Sequence, residues 1–444
     1  MRKYYRVISG LVLSALIAGS APATGQTSMQ YFRKNDKRGV NVFEAPKSDS
    51  TPFEGLKVKV GGNFTQDFQA LNHQNNATPV LVGGINTNKL VSLMPGFNLA
   101  MANLNIDAQL EDGIRMNLTM YLSARHHEET WVKGGYIQLD KLPFLKSKMA
   151  DKIMESFTIK VGDYEVDYGD QHFRRTDGGN AIYNPFAENY IMDEFATEIG
   201  GEVYYHPKTG IIAMAGITNG QLNPTVIAAT KTDTLTGKKN IYTPAFHGKL
   251  GYDKQLNRDL RCRITGSVYT VKSAASNSLF SGDRTGSHYF FVMENTLATA
   301  AANATSGRYN PGFSQQVTTF MINPFVKFKG FELFGSYEMA QGRKITELKT
   351  RTATQYAADL IYRFPADKEN FWIGARYNSV TATMNAGAAD ITINRMAGSV
   401  GWFVTKNIMM KAEYVNQQYN NFLASDIRSG GKFNGAIVEA VVGF

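Results

Sequence analysis

From residue 56 to the last residue, apolar and polar side chains alternate in runs of about ten to fifteen, and no other feature restricts the fold so tightly. Leu56, Val58, Val60, Gly62, Phe64 and Phe68 are interleaved with Lys57, Lys59, Asn63, Thr65, Asp67 and Gln69. Ile114, Met116, Leu118, Met120, Leu122 and Ala124 are interleaved with Arg115, Asn117, Thr119, Tyr121, Ser123 and Arg125. Successive side chains on a strand point to opposite faces, so each run has one apolar and one polar face. Half-buried strands of soluble proteins alternate too, but over about five or six residues. A tilted strand needs about nine to eleven residues to cross a bilayer. The runs therefore predict membrane-crossing strands.

Sixteen such runs are predicted, near 56–71, 95–110, 113–126, 130–140, 156–165, 195–206, 210–218, 243–253, 259–271, 315–328, 331–341, 352–364, 370–380, 391–404, 407–418 and 432–444. The connections alternate in length. Long ones fall at 72–94, 166–194, 219–242 and 272–314. Short ones include Glu111-Asp112, His206 to Thr209, Lys329-Gly330, Pro365 to Glu369 and Thr405-Lys406. The stretch 141–155 is a longer exception, with a helical turn expected at Ser147 to Met154. Short periplasmic turns and long external loops are the pattern of outer-membrane barrels. Open strand edges cannot be hydrated inside a bilayer, so the sheet is expected to close. The fold class is thus all-β, a closed antiparallel transmembrane barrel of about 16 strands over 56–444. An even strand count places both chain ends on the periplasmic side. The last run ends on Phe444, and a terminal aromatic residue resembles the assembly signal of outer-membrane barrels. That resemblance implies recognition by the barrel-assembly machinery.

Ahead of the barrel, residues 1–25 read as a signal peptide. Arg2, Lys3 and Arg6 precede a short apolar run from Val7 to Ala18, and Ala21-Pro22-Ala23 or Ala23-Thr24-Gly25 offers small residues for cleavage. The run is too short to span a membrane as a helix. Removing the three basic residues takes the formal charge from +9 to +6. Residues 26–55 are polar and uneven, with Lys34, Lys37, Arg38, Pro46 and Pro52, and are expected to form a periplasmic tail. One cysteine excludes an intrachain disulfide or thiolate cluster. Basic residues are spread singly along strands rather than clustered, which argues against nucleic-acid binding.

The stretch Phe157 to Tyr164, continuing to Tyr168-Gly169-Asp170, resembles the strand-then-loop element of the phosphate-selective (O and P type) porin family. Gly169 to Asp177, Asn184-Pro185-Phe186 and Tyr190 to Asp193 resemble the form found in Bacteroidota-type outer-membrane proteins. The resemblance implies a 16-stranded barrel whose third external loop folds inward. It also makes a homotrimer expected. The lysine-rich specificity loop of that family has no counterpart in this sequence.

Loop 166–194 is the candidate constriction, because Asp167, Asp170, His172, Arg174, Arg175 and Asp177 bring opposed charges together in one long loop. Parity also assigns charges to the lumen, since charge on the lipid face is costly. The basic set is Lys57, Lys59, Arg115, Arg125, Lys249, Arg261, Arg263, Lys327, Arg363, Arg376 and Lys411. The acidic set is Asp67, Glu198, Glu202, Glu332, Glu338, Asp359, Glu413 and Glu439. The basic excess leans towards anions, for which Arg is suited. Arg395 is ambiguous, since Ile391 and Ile393 share its parity. Cys262 falls on the apolar parity. His126-His127 and the set Asp163, Asp167 and Asp170 lack a recognised metal-site spacing. Gly178-Gly179 lacks the Lys-Ser/Thr of a phosphate cradle. No Gly-x-Ser-x-Gly occurs, and His247 is the histidine with inward parity and no serine partner in its own run. The expectation is an integral outer-membrane porin, with no enzyme activity and no cofactor or metal. It would pass small hydrophilic solutes with a weak anion preference. The alternative is a non-conducting barrel in which loops 219–242 and 272–314 plug the lumen or dock on a membrane partner, with Tyr289, Phe290 and Phe291 at the contact.

Overall fold

The computed structural model describes residues 28–444 apart from 46, 99, 125–129 and 177–180. The expected signal peptide, Arg125, His126-His127, Asp177 and Gly178-Gly179 lie outside the described residues. The strands are β1 (Lys57–Gln74), β2 (Met101–Glu111, extended at Gly96–Phe97), β3 (Ile114–Ser123), β4 (Thr130–Leu139), β5 (Phe157–Glu165), β6 (Thr197–Tyr205), β7 (Ile211–Thr218) and β8 (Ala245–Gln255). They continue as β9 (Leu260–Val271), β10 (Gln316–Phe328), β11 (Phe331–Arg343), β12 (Arg351–Phe364), β13 (Phe371–Thr383), β14 (Asp390–Phe403), β15 (Ile408–Asn420) and β16 (Lys432–Gly443). Each pairs antiparallel with its neighbours in sequence, and β1 pairs with β16 from Asn63↔Gly443 to Gln74↔Lys432. The result is a closed 16-strand barrel. Closure satisfies every strand edge, which the bilayer core requires.

Alternation is visible along every long strand. On β12, Ala353, Gln355, Ala357, Asp359, Ile361 and Arg363 are buried, while Tyr356, Ala358, Leu360, Tyr362 and Phe364 face outward. Leu56 and Leu250 are each 70% exposed on the outer surface. An apolar band of this extent is unfavourable in water and is stable against hydrocarbon. At the short-turn end, the outward rings of Phe331, Tyr362, Phe364, Phe371 and Trp402 form a row with neighbouring centroids 4.5 to 5.8 Å apart. Such rows sit at membrane interfaces, where an amphipathic ring meets both headgroups and hydrocarbon. Among the described residues, no helix is long and apolar enough to cross a membrane. Among the described residues the α-helix is α1 (Lys148–Met154), which falls where the helical turn is expected and is capped by Ser147 Oγ, which accepts from Ala150 N at 3.4 Å.

Residues 28–55 do not hang clear of the barrel. Met29 and Phe43 are buried, and the segment packs into the short-turn mouth. Arg33 lies 3.8 Å from the Tyr183 ring centroid and donates to the carbonyls of Gly39 and Phe173 at 3.0 Å. Asn41 donates to Glu332 at 2.5 Å, Glu44 pairs with Arg263 at 2.6 Å, and Lys47 donates to the Asp140 carbonyl at 2.8 Å. A plug that meets the wall residue by residue needs no periodicity, so its burial leaves no pattern in the sequence.

Candidate functional site

After β5 the chain turns into the lumen rather than outward. Val166 N donates to Ala196 O at 3.0 Å, closing the neck of loop 166–196. Every described residue from 166 to 196 is buried except Phe173, which is half-buried. Gly169 makes the turn possible. Its φ is 73°, and a Cβ there would lie 2.4 Å from Met321 Sδ.

A loop inside a barrel has backbone groups that water cannot reach, so the wall must satisfy them. Asn323 Oδ1 accepts from Asp170 N at 2.8 Å, Asn378 Oδ1 from Ile191 N at 2.6 Å and Gln355 Oε1 from Met192 N at 2.9 Å. Glu413 Oε2 accepts from Ala187 N at 2.9 Å, and Lys411 donates to Phe186 O at 2.8 Å. The strongest anchor is Asp170. Arg263 grips both its oxygens at 2.8 Å, Thr265 donates at 2.7 Å and Lys249 at 3.1 Å. Burial alone would raise the Asp170 carboxyl, but Arg263 and Lys249 outweigh it and hold the group well below the usual carboxylate range.

Loop 272–315 fills the other side of the lumen. His288 Nδ1 lies 2.6 Å from Asp67 and 2.8 Å from Glu439, across the seam where β1 meets β16. Tyr289 donates to Glu413 at 2.5 Å, and Arg308 bridges Glu188 and Asp193, each at 2.7 Å. Burial lowers the imidazole's affinity for a proton, yet the two carboxylates prevail and hold it well above its ordinary value. With Lys411 at 2.7 Å from Glu439, the four groups balance as two cations and two anions. The ligand atoms of Asp67, His288 and Glu439 also lie within 4.8 Å of one another, the closest approach to a metal-binding set among the described residues.

Between loop 166–196, the N-terminal segment and the wall of β2 to β6 remains a cavity of about 280 Å³. Its lining runs from Lys133 and Thr197, near the long-loop ends of β4 and β6, to His206 and Ala45 at the short-turn end. Four basic residues, Arg33, Arg115, Lys133 and Lys160, face five acidic ones, Glu44, Asp107, Asp163, Glu165 and Asp167. Lys160 lies among three tyrosines, with the ring centroids of Tyr164, Tyr136 and Tyr204 at 4.8, 5.1 and 5.6 Å, and pairs with Glu202 at 3.1 Å.

The structure separates the sequence-predicted residues into two groups. Arg115 and Asp167 reach the cavity. Asp170, Arg174, Lys249, Arg263, Arg376 and Lys411 are buried in contacts that fasten loop 166–196 to the wall, and Arg175 is buried within that loop, tying it to itself. Arg174 lies over Phe334 and donates to Asn41, Arg175 pairs with Asp193, and Arg376 pairs with Asp359 at 2.7 Å. Arg261 pairs with Asp253 at 2.6 Å near the short-turn end. Arg395 points inward, donating to Gln417 and to the Asn189 carbonyl at 2.6 Å. His247 Nε2 lies 2.9 Å from Glu202. Phe444 exchanges backbone hydrogen bonds with Gly62 at 3.0 and 3.1 Å. Sequence reasoning missed Lys160 and Tyr136, although parity on β5 and β4 points both inward. It also missed Arg33, Phe32 and Glu44, for which no periodic signal exists.

No protein-family model matches the chain, and no curated protein is similar to it in sequence. Solved structures do resemble it. OmpT, an outer membrane protein of Vibrio cholerae, superposes with a TM-score of 0.50 at 11% identity, covering 88% of this chain and 99% of that one. An anion-selective porin from Comamonas acidovorans gives 0.49 at 9% identity, covering 88% and 100%. The outer membrane channel DcaP of Acinetobacter baumannii gives 0.48 at 11%, covering 89% and 99%. At such identities the likeness speaks for the fold alone, and the first of these carries it. A closed barrel, an apolar outer band and this shared fold make the chain an integral β-barrel of the outer-membrane type.

Proposed function

We propose that the chain is a porin through which small hydrophilic solutes diffuse, with loop 166–196 narrowing the path against β2 to β6. The observation that carries this reading is the polar cavity beside the inward loop, whose lining extends along most of the barrel's length. Opposed charges across a narrow passage set a transverse field that sorts solutes by charge and dipole. Here Arg115 and Lys160 on the wall face Asp167 and Glu44 on the loop and plug. The anion preference read from the arginine excess is weak on this account, because Lys249, Arg263, Arg376 and Lys411 are engaged in holding loops. Arg33, Arg115, Lys133 and Lys160 line the cavity, but each already has a partner of its own, so what they add is a weak field rather than a strong anion site. Kinship with the phosphate-selective porin family, a trimeric assembly and Phe444 as the signal read by the assembly machinery belong to the same proposal. Catalysis forms no part of the proposal.

The decisive test is single-channel conductance of the refolded chain in a planar bilayer, with reversal potential under a salt gradient. Stable steps with a small anion-directed reversal support the reading. An inserted barrel that never conducts overturns it. That outcome would favour the alternative of a non-conducting barrel with a membrane partner, for which the inward-packed part of loop 272–315 around Ser287 to Met293 and the N-terminal plug speak.

A further inference from the structure

The geometry points to a binding site for an uncharged, polyhydroxylated solute, a sugar or polyol, in the cavity beside Tyr136 and Lys160. This inference rests on the porin reading and names the solute class for the same path.

The charged groups of the cavity are largely spent. Arg115 donates to Gln138 at 2.6 Å and lies 3.8 Å from Asp107. Lys160 is paired with Glu202, Lys133 with Asp283, and Arg33 with two carbonyls. Among the carboxylates, Glu44 is held by Arg263, and Asp167 by Lys249 and by His172 at 2.7 Å. An anionic solute would have to break one of these pairs to reach a cation, leaving a charged group unmatched. An uncharged solute would not.

What the wall still offers is hydrogen bonding of both kinds. Asn35 Nδ2 and Arg115 Nε are donors without a protein acceptor. Asp163 Oδ1 and Glu165 Oε1 are acceptors without a protein donor, and the Tyr164 hydroxyl is unmatched in either role. Each buried polar group left so costs about 1–3 kcal/mol until something meets it. Hydroxyl groups donate and accept at once, so a ring of them can meet both sets. Phe32, Tyr136, Tyr164 and Tyr204 add aromatic surface for the C–H face of a sugar ring. Pockets that combine apolar walls with a few placed polar groups are the usual form of small-molecule sites.

The test is a titration of the KCl current of the full mature chain in a planar bilayer. D-glucose, D-gluconate and D-glucosamine serve as probes, since they share a skeleton and differ in charge. Glucose is expected to reduce the current saturably, with a half-effect concentration below that of both charged analogues and about tenfold below that of gluconate, the cost of unpairing one buried group. Tyr136→Ala and Tyr164→Phe are each expected to raise that concentration severalfold. If either variant fails to insert, the wild-type series decides alone. Stronger action by gluconate or glucosamine overturns the inference in favour of an ion site. A conducting channel that none of the three affects beyond viscosity also overturns it, while leaving the porin reading intact. An inserted but silent barrel overturns both.

Discussion

At the scale of single residues, the lumen is held by buried pairs whose members lie far apart in the chain. Asp170 and Arg263 are separated by 93 positions, yet together they anchor the inward loop to β9. Truncating Arg263 to alanine removes the bidentate partner of Asp170 and Glu44 and leaves the two carboxylates sharing Lys249. The expected loss is about 3–5 kcal/mol, typical of removing one partner from a buried pair. Denaturant unfolding of the refolded barrel in detergent measures it, and a loss under 1 kcal/mol would deny the anchor. The same pair has a pH signature. Asp170 binds its proton less readily in the fold than in the unfolded chain. Its contribution to stability is therefore present above the ordinary Asp pKa of about 3.9 and is lost as pH falls below that towards the lowered value in the fold. Current noise from the loop should rise on acidification into this range in the wild type. In Asp170→Asn it should be high at neutral pH and change little. Parity on the strands revealed that Arg263 and Lys249 point inward. It had no means of revealing that a loop carboxylate waits for them, because pairing across the lumen leaves no local pattern.

The strands, by contrast, were legible in number and order, with bounds within a few residues and some nearly exact. β12 was expected at 352–364 and spans Arg351–Phe364, and β5 was expected at 156–165 and spans Phe157–Glu165. Lipid on one side and a polar lumen on the other imprint a period of two over every crossing. Where parity became ambiguous, the lumen itself is apolar. Ile391 and Ile393 point inward like Arg395 because the long-loop half of the lumen is filled by loops, with Val317, Val380, Val415 and Ile437 joining them in one buried cluster with Tyr289 and Val292. The outer face makes its own prediction. Ala358→Arg, on the outward face near the middle of β12, should cost about 2–4 kcal/mol, while Thr352→Arg, near the strand's long-loop end, should cost about 0–1 kcal/mol. Equal costs at the two depths would contradict the membrane position set by the aromatic row at Tyr362 and Phe364. The N-terminal segment makes another. Deleting residues 28–50 removes the plug from the short-turn mouth, and single-channel conductance is expected to rise severalfold. An unchanged conductance would mean that ions do not pass that end of the cavity.

For the molecule as a whole, the sequence and the structure agree on a polarity: apart from the connection 140–156, one end has turns of a few residues, while the other carries the long loops, the longest running over 272–315. A barrel with an even number of strands brings both ends of the sheet to the same rim. Here Lys57 and Gly443 lie at the short-turn end, where residues 28–55 also pack. Insertion of such a barrel carries the long loops across the membrane and leaves the short turns behind, so the long-loop end is expected to face the medium. That orientation decides which way a solute meets the inward loop and the plug. It can be read with two cysteines in a Cys262→Ser background: Cys262 is partly exposed on the outer wall, so its removal clears the reporter. Thr236→Cys, in an exposed part of the loop after β7, should react with a membrane-impermeant maleimide in intact cells. Lys208→Cys, in the turn between β6 and β7, should react only after the outer membrane is broken. The reverse pattern would place the plug, rather than the loops, at the outside, and solutes would then enter past Arg33 and Glu44 before reaching Lys160. Labelling of both in intact cells would show that the short turns are not sheltered, and the barrel would not span the membrane in the manner proposed.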